Sequence, residues 1–118
     1  MEVLKISVLG PLQVFAGERN LNKFESNKVR ALFAYLAMEM QRSHGRETLA
    51  GMFWPETSTD SALANLRYAL ADLRKVIQDE KARLPYLFIS RESLQFNANS
   101  DFLLDAVEFQ RLIKTNTI

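Results

Sequence analysis

Cysteine is absent from the 118-residue sequence, and glycine and proline are scarce, with four and three residues. The lack of cysteine excludes a disulfide framework and any metal site built on thiolate ligands. The glycines are scattered, so the sequence has no glycine-rich loop of the kind that cradles phosphates. Long apolar runs are also missing, because Lys5 interrupts the N-terminal run MEVLKISVLGPL. The sequence therefore predicts neither a signal peptide nor a membrane-spanning helix, and we expect a cytoplasmic protein.

A clear excess of positive charge is missing too, because 15 basic residues face 14 acidic residues and the formal net charge is +1. The first 91 residues contain 13 basic and 10 acidic residues, a balance of +3, and the last 27 contain 2 and 4, a balance of −2. Nucleic-acid binding by phosphate neutralisation alone would therefore be weak. Hydrophobic residues make up 47% and charged residues 25%, which is ordinary for one compact domain of this length.

Signatures of catalysis are equally scarce. The single histidine, His44, follows Ser43, but adjacency in sequence does not give the geometry of a catalytic triad. We interpret His44 as part of a solvated loop, and we interpret Glu47 and Glu56 as helix-dipole and loop charges rather than an acid/base pair. No HExxH or EF-hand pattern occurs. We expect a protein that is not an enzyme and that binds neither a metal nor a cofactor.

Apolar periodicity predicts strands, then helices, then a hairpin and a final helix. The predicted elements are strands at 3–9, 12–16 and around 20–24, helices at 26–41, 46–53 and 59–79, hairpin strands at 86–90 and 93–97, and a last helix at 105–114. Ser26 is the expected N-cap of the first helix, and Arg91 lies at or near the tip of the hairpin. This order predicts an α+β fold: a winged helix-turn-helix with an N-terminal antiparallel sheet, a three-helix core and a C-terminal β-hairpin wing.

The chain is expected to contain the winged-helix domain at residues 1–100 and the start of a further helical region at residues 101–118. Its last residues, TNTI, carry no closing signal, which is typical of a segment that continues into a longer protein. Because the sequence begins at Met1 with the first strand, we expect no receiver domain before it.

The third predicted helix, ANLRYALADLRKVI and the residues before it, has two contrasting faces. Its leucines, with Ile77, repeat at helical spacing and form a stripe that is expected to be buried. The opposite ridge contains two small residues, a tyrosine and a lysine: Ala64, Tyr68, Ala71 and Lys75. Small residues allow a helix to approach the floor of the DNA major groove, where amide and guanidinium groups can read base edges. The same residue types also occur on ordinary solvent-exposed helices. The positions of these residues around the helix therefore leave two interpretations open, a DNA-reading surface and a plain solvent-exposed face.

The segment ETLAGMFWPETSTDSALANLRYALADLRKVI resembles the DNA-binding domain of the Streptomyces antibiotic regulatory protein family, a branch of the OmpR/PhoB-type winged helices. The segments KVRALFAYLAM, FWPE and NLRYALADLRKVI are similar to the leucine-rich helix, the Trp-Pro turn and the recognition helix of that family. The opening LKISVLGPLQVFAGERNL is similar to its N-terminal sheet. The ending LFISRESLQFNANSDFLLDAVEFQRLI looks like its wing and the approach to a bacterial transcriptional activator region. The similarity covers nearly the whole chain, but Asp72 and the low net charge depart from the pattern.

The resemblance implies a transcriptional activator that binds double-stranded DNA at repeated sites, with RNA polymerase as a further partner and oligomerisation through regions beyond this chain. It implies a set of base-facing residues on the third helix: Asn65, Arg67, Tyr68, Ala71, Asp72, Arg74 and Lys75. It also implies a set that touches phosphates or belongs to the wing: Lys28, Arg30, Arg46, Thr48, Trp54 and Arg91. Trp54 is further expected to be a partly buried packing residue.

An interaction module that uses a winged-helix frame without binding DNA is the alternative function. The low net charge and the acidic Asp72 on the third helix favour this alternative. Salt-sensitive binding to duplex DNA distinguishes the two functions.

Overall fold

The computed structural model of the protein describes residues 3–116 and shows an α+β fold with four α-helices and seven short strands in that range. The expectations about the two ends of the chain fall partly on residues 1–2 and 117–118, which lie outside the described range. The elements, in chain order, are β1 (Leu4–Ser7), β2 (Gln13–Ala16), β3 (Arg19–Asn20), α1 (Asn27–Met38), β4 (His44–Gly45), α2 (Arg46–Phe53), α3 (Thr59–Val76), β5 (Leu87–Ile89), β6 (Ser93–Phe96), β7 (Phe102–Leu104) and α4 (Asp105–Asn116).

The N-terminal sheet has the strand order β3-β2-β1-β7. Its inward side chains alternate along the strands, so that Leu4, Ile6 and Val14 are buried against the helices. The antiparallel sheet was predicted, but the fourth strand, β7, was not, and it pairs parallel to β1. A parallel partner from the far end of the chain leaves no local turn signal in the sequence. The predicted third strand at 20–24 is shorter and earlier, at Arg19–Asn20.

The helices α1, α2 and α3 form the main core. Ser26 caps α1 by accepting a hydrogen bond from the Val29 N–H at 3.3 Å, as predicted, and Ser58 caps α3 by accepting one from the Ser61 N–H at 3.2 Å. The apolar stripes are buried as expected, with Leu32, Leu36, Leu49, Leu66 and Leu73 each 0% exposed. Burial of one such leucine contributes about 2 kcal/mol, so this cluster holds the three helices together.

Helices α1 and α3 end earlier than predicted. The first ends at Met38 instead of residue 41, and the third ends at Val76 instead of residue 79. After α3, Gln78 adopts a left-handed conformation with φ 55°, and a short 3₁₀ turn follows at Asp79–Lys81. A left-handed residue terminates an α-helix, but glycine is the usual residue there, so Gln78 gave no stop signal.

The second sheet has the strand order β4-β6-β5. The predicted hairpin is present as β5 and β6, with Arg91 and Glu92 in the turn between them. The interpretation of His44 as a solvated loop residue was wrong. His44 lies in β4 opposite Leu94, is 4% exposed, and its Nε2 is 2.9 Å from the Glu39 carbonyl oxygen. The strand pairing of β4, which only two residues form, buries the ring.

Asp105, the first residue of α4, joins that helix to the N-terminal sheet. Its carboxylate accepts hydrogen bonds from the Ser7 hydroxyl at 2.8 Å, the Val8 N–H at 2.8 Å and the Leu9 N–H at 3.1 Å. Burial raises the pKa of the Asp105 carboxyl, but these hydrogen bonds outweigh burial and hold the pKa below its ordinary value. Since β7 belongs to the first sheet, the strand before α4 is integral to the folded domain; the division at residue 100 stays a prediction.

Candidate nucleic-acid interface

Three of the four residues of the outer ridge of α3 are exposed and the fourth, Ala64, is half-buried, while the leucine stripe on the opposite face is mostly buried. Tyr68 is 70% exposed, and Ala71 and Lys75 are also exposed. The Arg67 guanidinium carbon lies 5.9 Å from the centroid of the Tyr68 ring, a cation–π arrangement that holds both side chains on the ridge. A helix of 18 residues is about 27 Å long, so this ridge is long enough to cross a DNA groove.

One margin of α3, here called the hairpin-side margin, faces the β5–β6 turn and the start of α2. Leu63 of α3 lines a shallow cleft there together with Arg46, Thr48 and Arg91. Arg67 follows Leu63 by one helical turn, so it lies on the same margin. Two arginines and one threonine therefore line the cleft, together with Glu47 and Glu92, and Arg67 lies on the same margin of α3.

Arg46 attaches the hairpin turn to the start of α2. Its backbone N–H donates to the Glu92 carbonyl oxygen at 2.8 Å, and its Nε donates to the Ser90 carbonyl oxygen at 2.9 Å. Arg91 lies between these two acceptors in the chain and is exposed. The predicted phosphate residue Arg46 thus has a structural partner, whereas Arg91 is exposed and forms no ion pair among residues 3–116.

The other margin, here called the α1-side margin, faces the start of α1 and the residue that ends α2. Asn65 lines a cleft there with Glu25, Lys28 and Trp54. The Lys28 Nζ donates to the Phe53 carbonyl oxygen at 2.7 Å and lies 5.5 Å from the centroid of the Trp54 ring. Trp54 is half-buried, in agreement with its expected packing role. One N–H of the Lys28 ammonium group is therefore occupied by a hydrogen bond to the last residue of α2.

Asp72 also lies on the α1-side margin, about two helical turns after Asn65 in α3. Its Oδ2 accepts a hydrogen bond from the Glu25 N–H at 2.9 Å, next to the N-cap residue of α1. The structure therefore gives Asp72 a role that the sequence did not predict: its carboxylate attaches α3 to the start of α1. Glu25 adds a second carboxylate, so each margin has two carboxylates, but the α1-side margin has fewer basic groups than the hairpin-side margin.

Two predicted DNA-contacting arginines have partners within the fold. Arg74 forms ion pairs with the buried Asp79 at 3.3 Å and with Glu80 at 3.8 Å. Arg30 donates to the carbonyl oxygens of Asn22 and Leu12 and stacks over the Phe24 ring. Sequence spacing places both arginines near the predicted DNA-contacting surface, but these partners restrict the reach of their guanidinium groups.

Lys81 is a candidate DNA-contacting residue that the sequence did not indicate. It lines an open depression at the end of α3, whose other lining residues are Ala71, Arg74, Lys75, Gln78 and the acidic Glu80. The lysine lies in the 3₁₀ turn after the helix, and that turn brings it back beside the ridge. The sequence did not indicate that α3 ends at Val76. A helix that continued to residue 79, as predicted, would have placed Lys81 in a different direction from the ridge.

Neither a metal cluster nor a membrane span is found in the described part of the chain. Residues 3–116 contain no group of three or more histidine, cysteine, aspartate or glutamate side chains placed to hold a metal ion. Within the same range, no helix is both long enough and apolar enough to span a membrane.

Comparison with known proteins yields one informative match. No family model matches the sequence, and no curated protein matches it either. Among solved structures, the fold is similar to that of Mycobacterium tuberculosis EmbR in a complex with a low-affinity phosphopeptide, with a TM-score of 0.67 and 22% sequence identity. The match covers 82% of this chain and 26% of the EmbR chain, so this chain corresponds to about a quarter of that protein. At this identity the likeness supports the α+β fold and carries no residue roles.

Proposed function

We propose that this chain is the DNA-binding domain of a bacterial transcription regulator and binds double-stranded DNA with sequence specificity. In this proposal α2 and α3 form a helix-turn-helix, α3 enters the major groove, and the β5–β6 hairpin is the wing that contacts the adjacent groove or backbone. The observation that carries the proposal is the exposed Tyr68–Ala71–Lys75 ridge of α3, with the exposed Arg67 on its hairpin-side margin and Arg91 of the hairpin turn in the cleft beside that margin.

Shape and chemistry of the ridge suit base readout more than general attraction to phosphates. Ala71 allows close approach and can touch thymine methyl groups, while Asn65 and Arg67 carry the amide and guanidinium groups that pair with adenine and guanine. Tyr68 offers a large exposed ring with a hydroxyl group. Since the net charge is only +1, this contact set has to supply a large share of the affinity.

Avidity completes the proposed mechanism. A domain with little excess charge gains affinity when two copies are held on repeated sites, because the second binding event becomes intramolecular. We propose that regions outside this chain provide oligomerisation, that RNA polymerase is a further partner, and that the protein acts in the cytoplasm.

Binding-site selection from a random duplex pool, followed by fluorescence anisotropy over a salt series, tests the proposal. We expect salt-sensitive binding to the selected duplex that exceeds binding to a scrambled duplex. Arg67→Ala should weaken binding to the selected duplex about tenfold and lower the salt slope by about one, because one phosphate- or base-contacting cation is removed.

Arg42→Ala is the matched control, since Arg42 pairs with Glu39 beyond the end of α1 and is not among the residues that line the clefts along α3. It should leave both affinity and salt slope unchanged. Equal losses for Arg67→Ala and Arg42→Ala would show that binding follows overall charge. No enrichment and no binding at low salt would overturn the proposal and favour the protein-interaction module.

A further inference from the structure

The hairpin turn is attached to the helix-turn-helix through consecutive residues of one short segment. β4 pairs antiparallel with β6, with His44 opposite Leu94 and Gly45 opposite Ser93. Arg46, the next residue, continues the contact with its backbone N–H on the Glu92 carbonyl oxygen. Since α2 begins at Arg46, the hairpin sheet and α2 share a continuous stretch of backbone.

The turn itself lacks the residues that favour a tight hairpin. Its central residues are Arg91 and Glu92, whereas Asn-Gly and similar pairs are the favoured residues of two-residue hairpin loops. Ser90 compensates in part: its hydroxyl accepts from the Ser93 N–H at 2.9 Å, and its own N–H donates to the Ser93 carbonyl oxygen at 2.9 Å. The Ser90 carbonyl oxygen is then the acceptor for the Arg46 Nε.

We propose that Arg46 is a positioning residue that fixes the hairpin turn, and with it Arg91, at a set distance from α3. The side chain acts through the Ser90 carbonyl oxygen, so its contribution to DNA binding is indirect and differs from the phosphate contact that its charge suggests. This inference rests on the proposed DNA-binding function. Holding the turn before binding lowers the cost of ordering the turn when DNA arrives.

Replacement by lysine separates positioning from charge. Arg46→Lys keeps the positive charge but places no N–H at the position of Nε, and an ammonium group cannot reproduce the directed geometry of a guanidinium. We expect Arg46→Lys and Arg46→Ala to weaken binding to the selected duplex by a similar factor, about fivefold. Retention of wild-type affinity by Arg46→Lys would overturn the proposal and assign Arg46 a direct phosphate contact.

A double-mutant cycle with Arg91 provides the second arm. If Arg46 acts by positioning Arg91, Arg46→Ala should have little further effect once Arg91→Ala has removed the side chain that it positions. Arg91→Ala should lower the salt slope by about one, as expected for a lost phosphate contact. Additive losses, with a further decrease of about one in the salt slope for Arg46→Ala, would contradict the positioning role.

A measurement without DNA distinguishes failure of this inference from failure of the proposed function. Backbone ¹⁵N order parameters report fast motion of the turn. They should fall at Ser90–Ser93 in Arg46→Ala and Arg46→Lys and stay at wild-type values in Arg91→Ala, with thermal unfolding confirming that all variants are folded. Unchanged order parameters in both Arg46 variants would overturn the positioning role of Arg46 even if DNA binds. A turn that loosens in a protein that does not bind DNA would instead overturn the proposed function, and the contribution of Arg46 to DNA binding with it.

Discussion

Along the hairpin-side margin of α3, Leu63 and Arg67 lie beside Arg46 and Arg91, whereas along the α1-side margin Asn65 and Asp72 lie beside Glu25 and Lys28. Glu47 and Glu92 also line the first margin, so it has three basic and two acidic groups, whereas the second has one basic group, Lys28, and two acidic groups. A phosphate backbone therefore finds more favourable charge on the hairpin side.

The margins also differ in how their charges are used. The Asp72 carboxylate accepts from the Glu25 N–H and Lys28 donates to the Phe53 carbonyl oxygen, so the α1-side margin uses charged groups to join helices. On the hairpin side Arg67 and Arg91 are exposed, and Arg46 is held by the turn. We infer that the α1-side margin sets the position of α3, and that in the proposed complex the hairpin-side margin supplies most of the positive charge near the phosphates.

Asp79→Ala is expected to have the largest effect, because it releases the fixed end of α3. The buried Asp79 carboxylate accepts from the Tyr86 N–H at 2.7 Å and pairs with Arg74 at 3.3 Å. Its removal leaves the Tyr86 N–H without this partner, and we expect a loss of about 3 kcal/mol in the free energy of unfolding, measured by urea denaturation.

Glu80→Ala is the matched control for that loss. Glu80 also pairs with Arg74, at 3.8 Å, but its side chain is 86% exposed. An exposed pair contributes at most about 1 kcal/mol, so Glu80→Ala should change stability little. Equal effects of the two substitutions would mean that burial of Asp79 is not what fastens this end of the helix.

Tyr68→Ala tests the ridge that lies between the margins. Because Tyr68 is 70% exposed, its removal should leave the free energy of unfolding nearly unchanged while it weakens binding to the selected duplex about tenfold, or about 1.4 kcal/mol. Anisotropy and urea denaturation on the same preparation measure the two quantities. A loss of stability without a loss of affinity would place Tyr68 in the fold and remove it from the interface.

Local signals predicted much of this fold. The periodic leucines located α1 to α3, Ser26 was the correct N-cap, and the alternating runs on either side of Arg91 gave the hairpin. Each of these features depends on residues close together in sequence, where spacing alone fixes which side chains share a face. The exposed ridge of α3 is also where the helical wheel put it, although its role in DNA binding stays a prediction.

Contacts between distant residues explain what sequence spacing did not predict. The parallel pairing of β7 with β1 and the bond from the Glu25 N–H to Asp72 join residues far apart in the chain. The burial of His44 depends on β6, about 50 residues later. Arg74 shows a local version of the same problem, because its partner Asp79 is brought back by the left-handed turn at Gln78.

Ser26→Ala should loosen the α1-side margin by a smaller amount. The Ser26 hydroxyl accepts from the Val29 N–H, and loss of an N-cap serine costs about 1 kcal/mol in the free energy of unfolding. The Glu25 N–H donates to Asp72 next to this cap. We therefore expect Ser26→Ala to cost more stability in the Asp72→Ala variant than in the wild-type protein. Urea denaturation of Ser26→Ala, Asp72→Ala and the double variant measures the coupling, and strictly additive losses would separate the two contacts.

Asp72→Asn is the sharpest test of the charge difference between the margins. An asparagine oxygen can still accept from the Glu25 N–H, so the attachment of α3 to α1 is kept while one negative charge beside the ridge is removed. We expect affinity for both selected and scrambled duplexes to rise about threefold, or about 0.7 kcal/mol, and the gain to shrink as salt screens the charge. Glu39→Gln makes the same charge change at the opposite end of α1 and should give no gain. If Asp72→Asn instead weakens binding only to the selected duplex, the carboxylate reads a base there, and the α1-side margin takes part in recognition.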